Sequence, residues 1–96
     1  MISTIFENEI REIRKRFLIR LYDETEGDEY MSVSFDQIYK LACRDENDLE
    51  IFDSTNEMLK DLVKQDLVNK NYILIDTSNE ENILITSKGK QDYIKL

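Results

Sequence analysis

At Asn69 the hydrophobic pattern changes period, and that change constrains the fold more than any single motif. Before it, Ile2, Phe6, Ile10, Ile13, Phe17 and Leu21 recur at three- and four-residue steps, the spacing that lines one stripe of an α-helix. After it come NYILID and NILIT, two β-rich runs separated by the polar segment TSNEE, which predict a β-hairpin. A chain of 96 residues lies in the single-domain range and can bury one modest core. The expectation is one α+β domain over residues 1–96, mostly helical, with helices packed against a hairpin.

The first helix is expected to end near Tyr22. Leu18, Ile19 and Tyr22 fall off its main stripe and form a second apolar patch. That patch either packs under a later element of the same chain or forms a homodimer contact. DETEGDE, residues 23–29, reads as a solvated acidic turn; its spacing does not fit a calcium loop, which places acidic oxygens at alternating positions with a glutamate at the twelfth. Tyr30 to Val33 reads as a short strand, and Ser34 as the N-cap of a second helix carrying Phe35, Ile38, Tyr39, Leu41 and Ala42. A polar connection of about ten residues follows. Ser54-x-x-Glu57 then has the form of a capping box, which predicts a third helix over about residues 54–68 with Met58, Leu59, Leu62, Val63 and Leu67 on its buried side. After the hairpin, Thr86 or Ser87 can cap a short last helix running through Leu96.

Composition removes most catalytic chemistry. The chain has no histidine, one cysteine and two glycines, Gly27 and Gly89. Histidine-based triads, histidine-containing zinc sites and glycine-rich phosphate loops are therefore excluded. Cys43 cannot form an internal disulfide and sits on the apolar side of a predicted helix, where an inert buried thiol is the ordinary outcome. The remaining carboxylates, lysines and tyrosines show no cooperative spacing. No enzyme activity, cofactor or metal is expected. The apolar runs are too short to span a membrane, and the N-terminal residues lack the pattern of a secretory signal, so the expected setting is cytoplasmic, without membrane contact.

The order helix, short strand, helix, helix, hairpin, helix resembles the winged helix-turn-helix superfamily over nearly the whole chain. LITSKGK, residues 84–90, is similar to the Leu-Thr-x-Lys-Gly passage by which the second hairpin strand of that superfamily often enters a capped helix. The resemblance implies three helices plus a β-hairpin wing and a short C-terminal helix. It further implies a small DNA-binding protein, a transcriptional regulator and homodimer whose third helix reads double-stranded DNA. Carried over, the readers are Thr55, Asn56, Lys60 and Lys64, with Lys70 near a phosphate and residues 77–82 as the wing. The connection between the second and third helices is longer than the tight turn usual for the motif.

Charge argues for a different partner. The exposed face of the third helix sets Glu57 and Asp61 against Lys60 and Lys64, and the wing adds Glu80 and Glu81 without a basic residue. Three lysine–phosphate contacts would give a log-log salt slope of only about −2.7, against about −5 to −9 for six to ten contacts. The formal net charge is −8. Residues 1–22 carry five basic and three acidic side chains, whereas residues 23–53 carry two basic and eleven acidic ones. The first-helix arginines read most simply as a solvated face laced by pairs such as Glu7 with Arg11 and Glu12 with Arg16. The second functional expectation is accordingly a non-enzymatic winged-helix protein-interaction module, or an acidic inhibitor that occupies a DNA-binding groove in place of DNA.

Overall fold

The structure, a computed structural model, describes residues 6–95; Ile2 and Leu96 lie outside them. The chain forms a small, mostly helical α+β domain of four helices and a three-stranded antiparallel sheet. In order these are α1 (Glu7–Thr25), β1 (Val33–Ser34), α2 (Phe35–Ala42), α3 (Glu57–Asn69), β2 (Ile73–Ile75), β3 (Asn82–Ile85) and α4 (Ser87–Lys95).

α1 is the central helix and packs against α2, α3 and α4, which is why it is apolar on more than one side. Ile13, Phe17 and Leu21 of the main stripe are fully buried, with Phe6 and Ile10 partly buried against them. Leu18 is also fully buried, and the Tyr22 ring stacks on Tyr93 of α4 at 4.4 Å between centroids. The second apolar patch therefore packs inside the chain. Of the two alternatives, packing within the chain is the one seen for Leu18 and for Tyr22, which meets Tyr93, while Ile19, at 40% exposure, faces outward.

α1 also runs three residues past Tyr22. The buried Thr25 hydroxyl donates to the Leu21 carbonyl at 2.8 Å and accepts from Gly27 N–H at 3.2 Å. These bonds carry the helix into what reads as an acidic turn. Glu26 (φ 53°) and Gly27 (φ 78°) then take the left-handed conformation that ends helices. A side chain at Gly27 would meet the Tyr22 ring at 3.1 Å.

β2 and β3 form the expected hairpin, with Ile73 opposite Ile85 and Ile75 opposite Ile83. β1 is shorter than the expected Tyr30–Val33 strand and joins the other edge of β3, pairing Val33 with Ile83 and Ser34 with Asn82. The strand order is thus β1-β3-β2, and the inward residues Ile73, Ile83 and Ile85 close the core. Phe35 N–H donates to the Glu81 carbonyl at 3.1 Å, fixing the first turn of α2 beside the hairpin.

Thr86 begins α4. Its hydroxyl accepts from Gly89 N–H at 2.9 Å and donates to the Asn71 carbonyl, while its own N–H reaches the Tyr72 carbonyl at 3.1 Å. A Cβ at Gly89 would lie 2.5 Å from that same Tyr72 carbonyl oxygen. The glycine in LITSKGK is required by this close approach.

Candidate functional site: the groove between α2, α3 and the hairpin

The residues between α2 and α3 set where α3 begins. They span 43–56 and are ordered by side chain to backbone bonds. Asp45 accepts from Asn47 N–H and Leu49 N–H at 2.8 and 3.0 Å, and Ile51 N–H reaches the Cys43 carbonyl at 2.8 Å. Glu50 accepts from both the N–H and the hydroxyl of Ser54, and Asp53 likewise accepts from both groups of Thr55. These bonds hold both carboxyls below the usual carboxylate range. With Ser54 committed to Glu50, the capping box expected there does not form. Asn56 is the N-cap, accepting from Leu59 N–H at 3.1 Å, and α3 starts at Glu57 instead of residue 54.

The proposed readers consequently separate. Thr55 lies before the helix with its hydroxyl on Asp53 at 2.6 Å, and the Asn56 side-chain oxygen is used as the cap. The Lys60 ammonium sits between Glu57 at 3.1 Å and Asp36 at 3.3 Å, with its side chain only 18% exposed. Burial alone would lower its pKa, but the hydrogen bonds and charges of Glu57 and Asp36 outweigh it and hold the ammonium above its ordinary range. Lys64 places its Nζ 5.1 Å from the centroid of the Phe35 ring, a cation–π contact. Lys70 belongs elsewhere. Together with Arg14 it faces Asp66, and these three line a separate hollow with Glu7, Ile10 and Arg11.

Lys60 and Lys64 lie in a groove closed by three elements. α2 contributes Phe35 and Asp36, α3 adds Glu57 and Asp61, and the hairpin tip brings Glu80 and Glu81, around a hollow of ≈260 Å³. Two ammonium groups, both engaged within the chain, face five carboxylates. A second hollow of ≈240 Å³ adjoins it, sharing Asp36, Glu57 and Lys60 and adding Tyr39, Lys40, Ser54 and Thr55. Sequence reasoning found the carboxylates of α3 and the hairpin. It missed Phe35, Asp36 and Tyr39, whose helical spacing marked α2 as a core element; the one available signal was Asp36 in its first turn.

Tyr39 is 1% exposed, and its buried hydroxyl has no hydrogen-bond partner among the described residues other than the Cys43 thiol. The Cys43 thiol, itself buried, lies beside it and is a weak partner at best. Burial foremost, then that thiol and the charges of Asp53 and Glu57, push the phenol pKa far up, so it stays a neutral hydroxyl. Cys43 is likewise pushed up by burial, against a hydrogen bond with Tyr39 that lowers it, which keeps the thiol protonated and unreactive.

Among the described residues no group of three or more metal-ligating side chains converges, and no helix is long and apolar enough to cross a membrane. Comparison with protein-family models, with curated proteins and with solved structures finds no match to this chain.

Proposed function

We propose that the chain is a non-enzymatic interaction module of winged-helix layout whose α2–α3–hairpin groove docks a basic segment of another protein. The observation that carries this reading is the charge of the groove. Five carboxylates line it, and its two lysines are already engaged, one by Asp36 and Glu57 and the other by the Phe35 ring. A duplex brought against this face would set its phosphates beside Glu80 and Glu81, without the free cations that supply affinity for nucleic acid. A basic polypeptide meets complementary charge.

A DNA-binding regulator is the second reading. The observation in its favour is the order of elements: α3 is followed directly by the hairpin and then a short C-terminal helix, the order that the superfamily resemblance implies. One experiment separates the two. The parent chain and the triple variant Asp61→Lys, Glu80→Lys, Glu81→Lys are titrated at low salt with a basic polypeptide and with mixed-sequence duplex DNA. The interaction reading expects the parent to bind the polypeptide and the triple variant to lose it. A parent that shifts duplex DNA, and loses that shift in Lys60→Glu or Lys64→Glu, would establish the regulator instead.

A further inference from the structure

Three of the chain's five arginines line one hollow that shares no residue with the acidic groove. Arg16 and Arg20 stand one turn apart on α1, and Arg44 joins them from just past the end of α2, around a space of ≈360 Å³ that Ile19, Asp23 and Glu46 complete. The supports are firm. Phe17, Leu18 and Leu21 of α1 are fully buried, and the Arg44 backbone donates to the Leu41 carbonyl at 3.1 Å and bridges to Glu50.

The chain leaves these guanidiniums largely unused. Among the described residues Arg20 enters no ion pair. Arg16 meets only Glu12, at 3.5 Å, and its Nε is buried with no hydrogen-bond partner. Arg44 bonds through Nη1 alone, to the Asp48 carbonyl and carboxylate at 3.3 and 3.1 Å. Asp23 and Glu46 stand in the same hollow yet pair with none of the three. Arg14, whose role is structural, is by contrast bonded twice to Asp66. Three guanidiniums against two carboxylates leave one surplus positive charge here, in a chain whose net charge is −8.

We infer that this hollow binds a phosphate monoester. A guanidinium fork matches phosphate oxygens and grips them in pairs. A monoester offers three acceptor oxygens and close to two negative charges at neutral pH, which suits three forks arriving from two elements. A planar carboxylate has only two oxygens and one charge, and leaves a fork without an acceptor. No lysine appears among the lining residues, although the chain has eight lysines to five arginines; the site is built for fork geometry more than for bare attraction. Ile19, 40% exposed, supplies an apolar wall for the esterified part of the ligand.

The test follows the arginine Nε–Hε signals of the full chain by nuclear magnetic resonance, in about 0.15 M salt, as inorganic phosphate, acetate or an O-phosphoserine peptide is added. Inorganic phosphate is expected to shift the Arg16, Arg20 and Arg44 signals along one saturable curve, and acetate to bind at least about tenfold more weakly. Arg20→Gln is expected to lose about tenfold in phosphate affinity with melting unchanged, and Arg20→Lys about fivefold, since it keeps the charge without the fork. Arg11→Gln removes the same charge from the same helix but lines a different hollow. Its distance of about 13 Å along α1 from Arg20 exceeds the screening length of about 8 Å, so the affinity should change by less than about twofold. A phosphopeptide tighter than inorganic phosphate puts the ester on a protein, and one no tighter puts it on a small molecule; both results carry the inference. The absence of a saturable shift, acetate bound as well as phosphate, or an Arg20→Lys chain with full affinity each overturn it. Equal losses from Arg11→Gln and Arg20→Gln do so as well, because net charge alone would then account for the binding. Duplex DNA that binds through the same three arginines more tightly than the monoesters also overturns it, since the hollow would then serve a backbone diester. Asp61, Glu80 and Glu81 lie outside this hollow, so their triple reversal tests the groove reading without touching this one.

Discussion

The two ends of α3 carry charge clusters of opposite design. Near its start a lysine is held by two carboxylates, Asp36 of α2 and Glu57; near its end a carboxylate, Asp66, is held by two cations, Arg14 of α1 and Lys70. The central groups are similarly shielded, with side-chain exposures of 18% for Lys60 and 20% for Asp66. Each central charge has the wrong sign for its place, because a helix favours negative charge at its start and positive charge at its end. Each is kept by two opposite charges, one from another helix. The clusters differ in their outer members. Arg14 is only 18% exposed and makes two bonds to Asp66, at 3.0 and 3.2 Å, whereas Asp36 and Glu57 stand largely in solvent. The Asp66 cluster joins α3 to α1 and serves stability; the Lys60 cluster leaves two carboxylates where a partner can reach them.

The largest effect should come from breaking the Arg14 end. Asp66→Ala leaves a shielded guanidinium without its acceptor, which costs about 2 kcal/mol, well above the value of an exposed pair; urea denaturation measures it. A loss below that of Lys60→Gln would erase the distinction between the two clusters. Next, removing the cap beneath the Lys60 end by Asn56→Ala should cost about 1 kcal/mol, and Ser54→Ala clearly less, since Ser54 caps nothing. Equal losses in urea would restore the capping box that the sequence shows. Lys60→Gln should cost no more than about 0.5 kcal/mol, because its partners are exposed.

The smallest effect is a titration. The pKa of Lys60 is raised in the folded chain, so its contribution to stability is complete below the ordinary lysine value of 10.5 and disappears as pH climbs through the raised one. Nuclear magnetic resonance of its ε-methylene should show a midpoint above 10.5 that moves down in Asp36→Asn. An unchanged midpoint would mean that Asp36 does not hold the ammonium.

What could be read from the sequence was local. The hairpin, the Ser34 and Thr86 caps and the pairs Glu7–Arg11 and Glu12–Arg16 follow from spacing within a few residues, and the structure contains them. The misplaced start of α3 was also a local matter: two capping residues stand close together, and the choice went to Asn56 because Glu50 engages Ser54. Long-range relations were not legible. Nothing in the spacing of Arg14 and Asp66, 52 residues apart, or of Asp36 and Lys60 marks them as partners, because their meeting depends on how α1, α2 and α3 cross. For the same reason the site was half visible: the carboxylates of α3 and the hairpin were found, while Asp36 and Tyr39 join them only through packing.

The seat of α4 has a consequence for how this surface can change. Thr86 and Gly89 clamp the chain at the base of the hairpin onto the Asn71 and Tyr72 carbonyls, whereas residues 77–81 at the far end are exposed and contribute nothing to the core. Loop tips of this kind tolerate insertion and replacement. Substituting a different sequence there should redirect which molecules are met while melting behaviour stays the same, so binding preference and foldability can diverge independently along a single short ribbon.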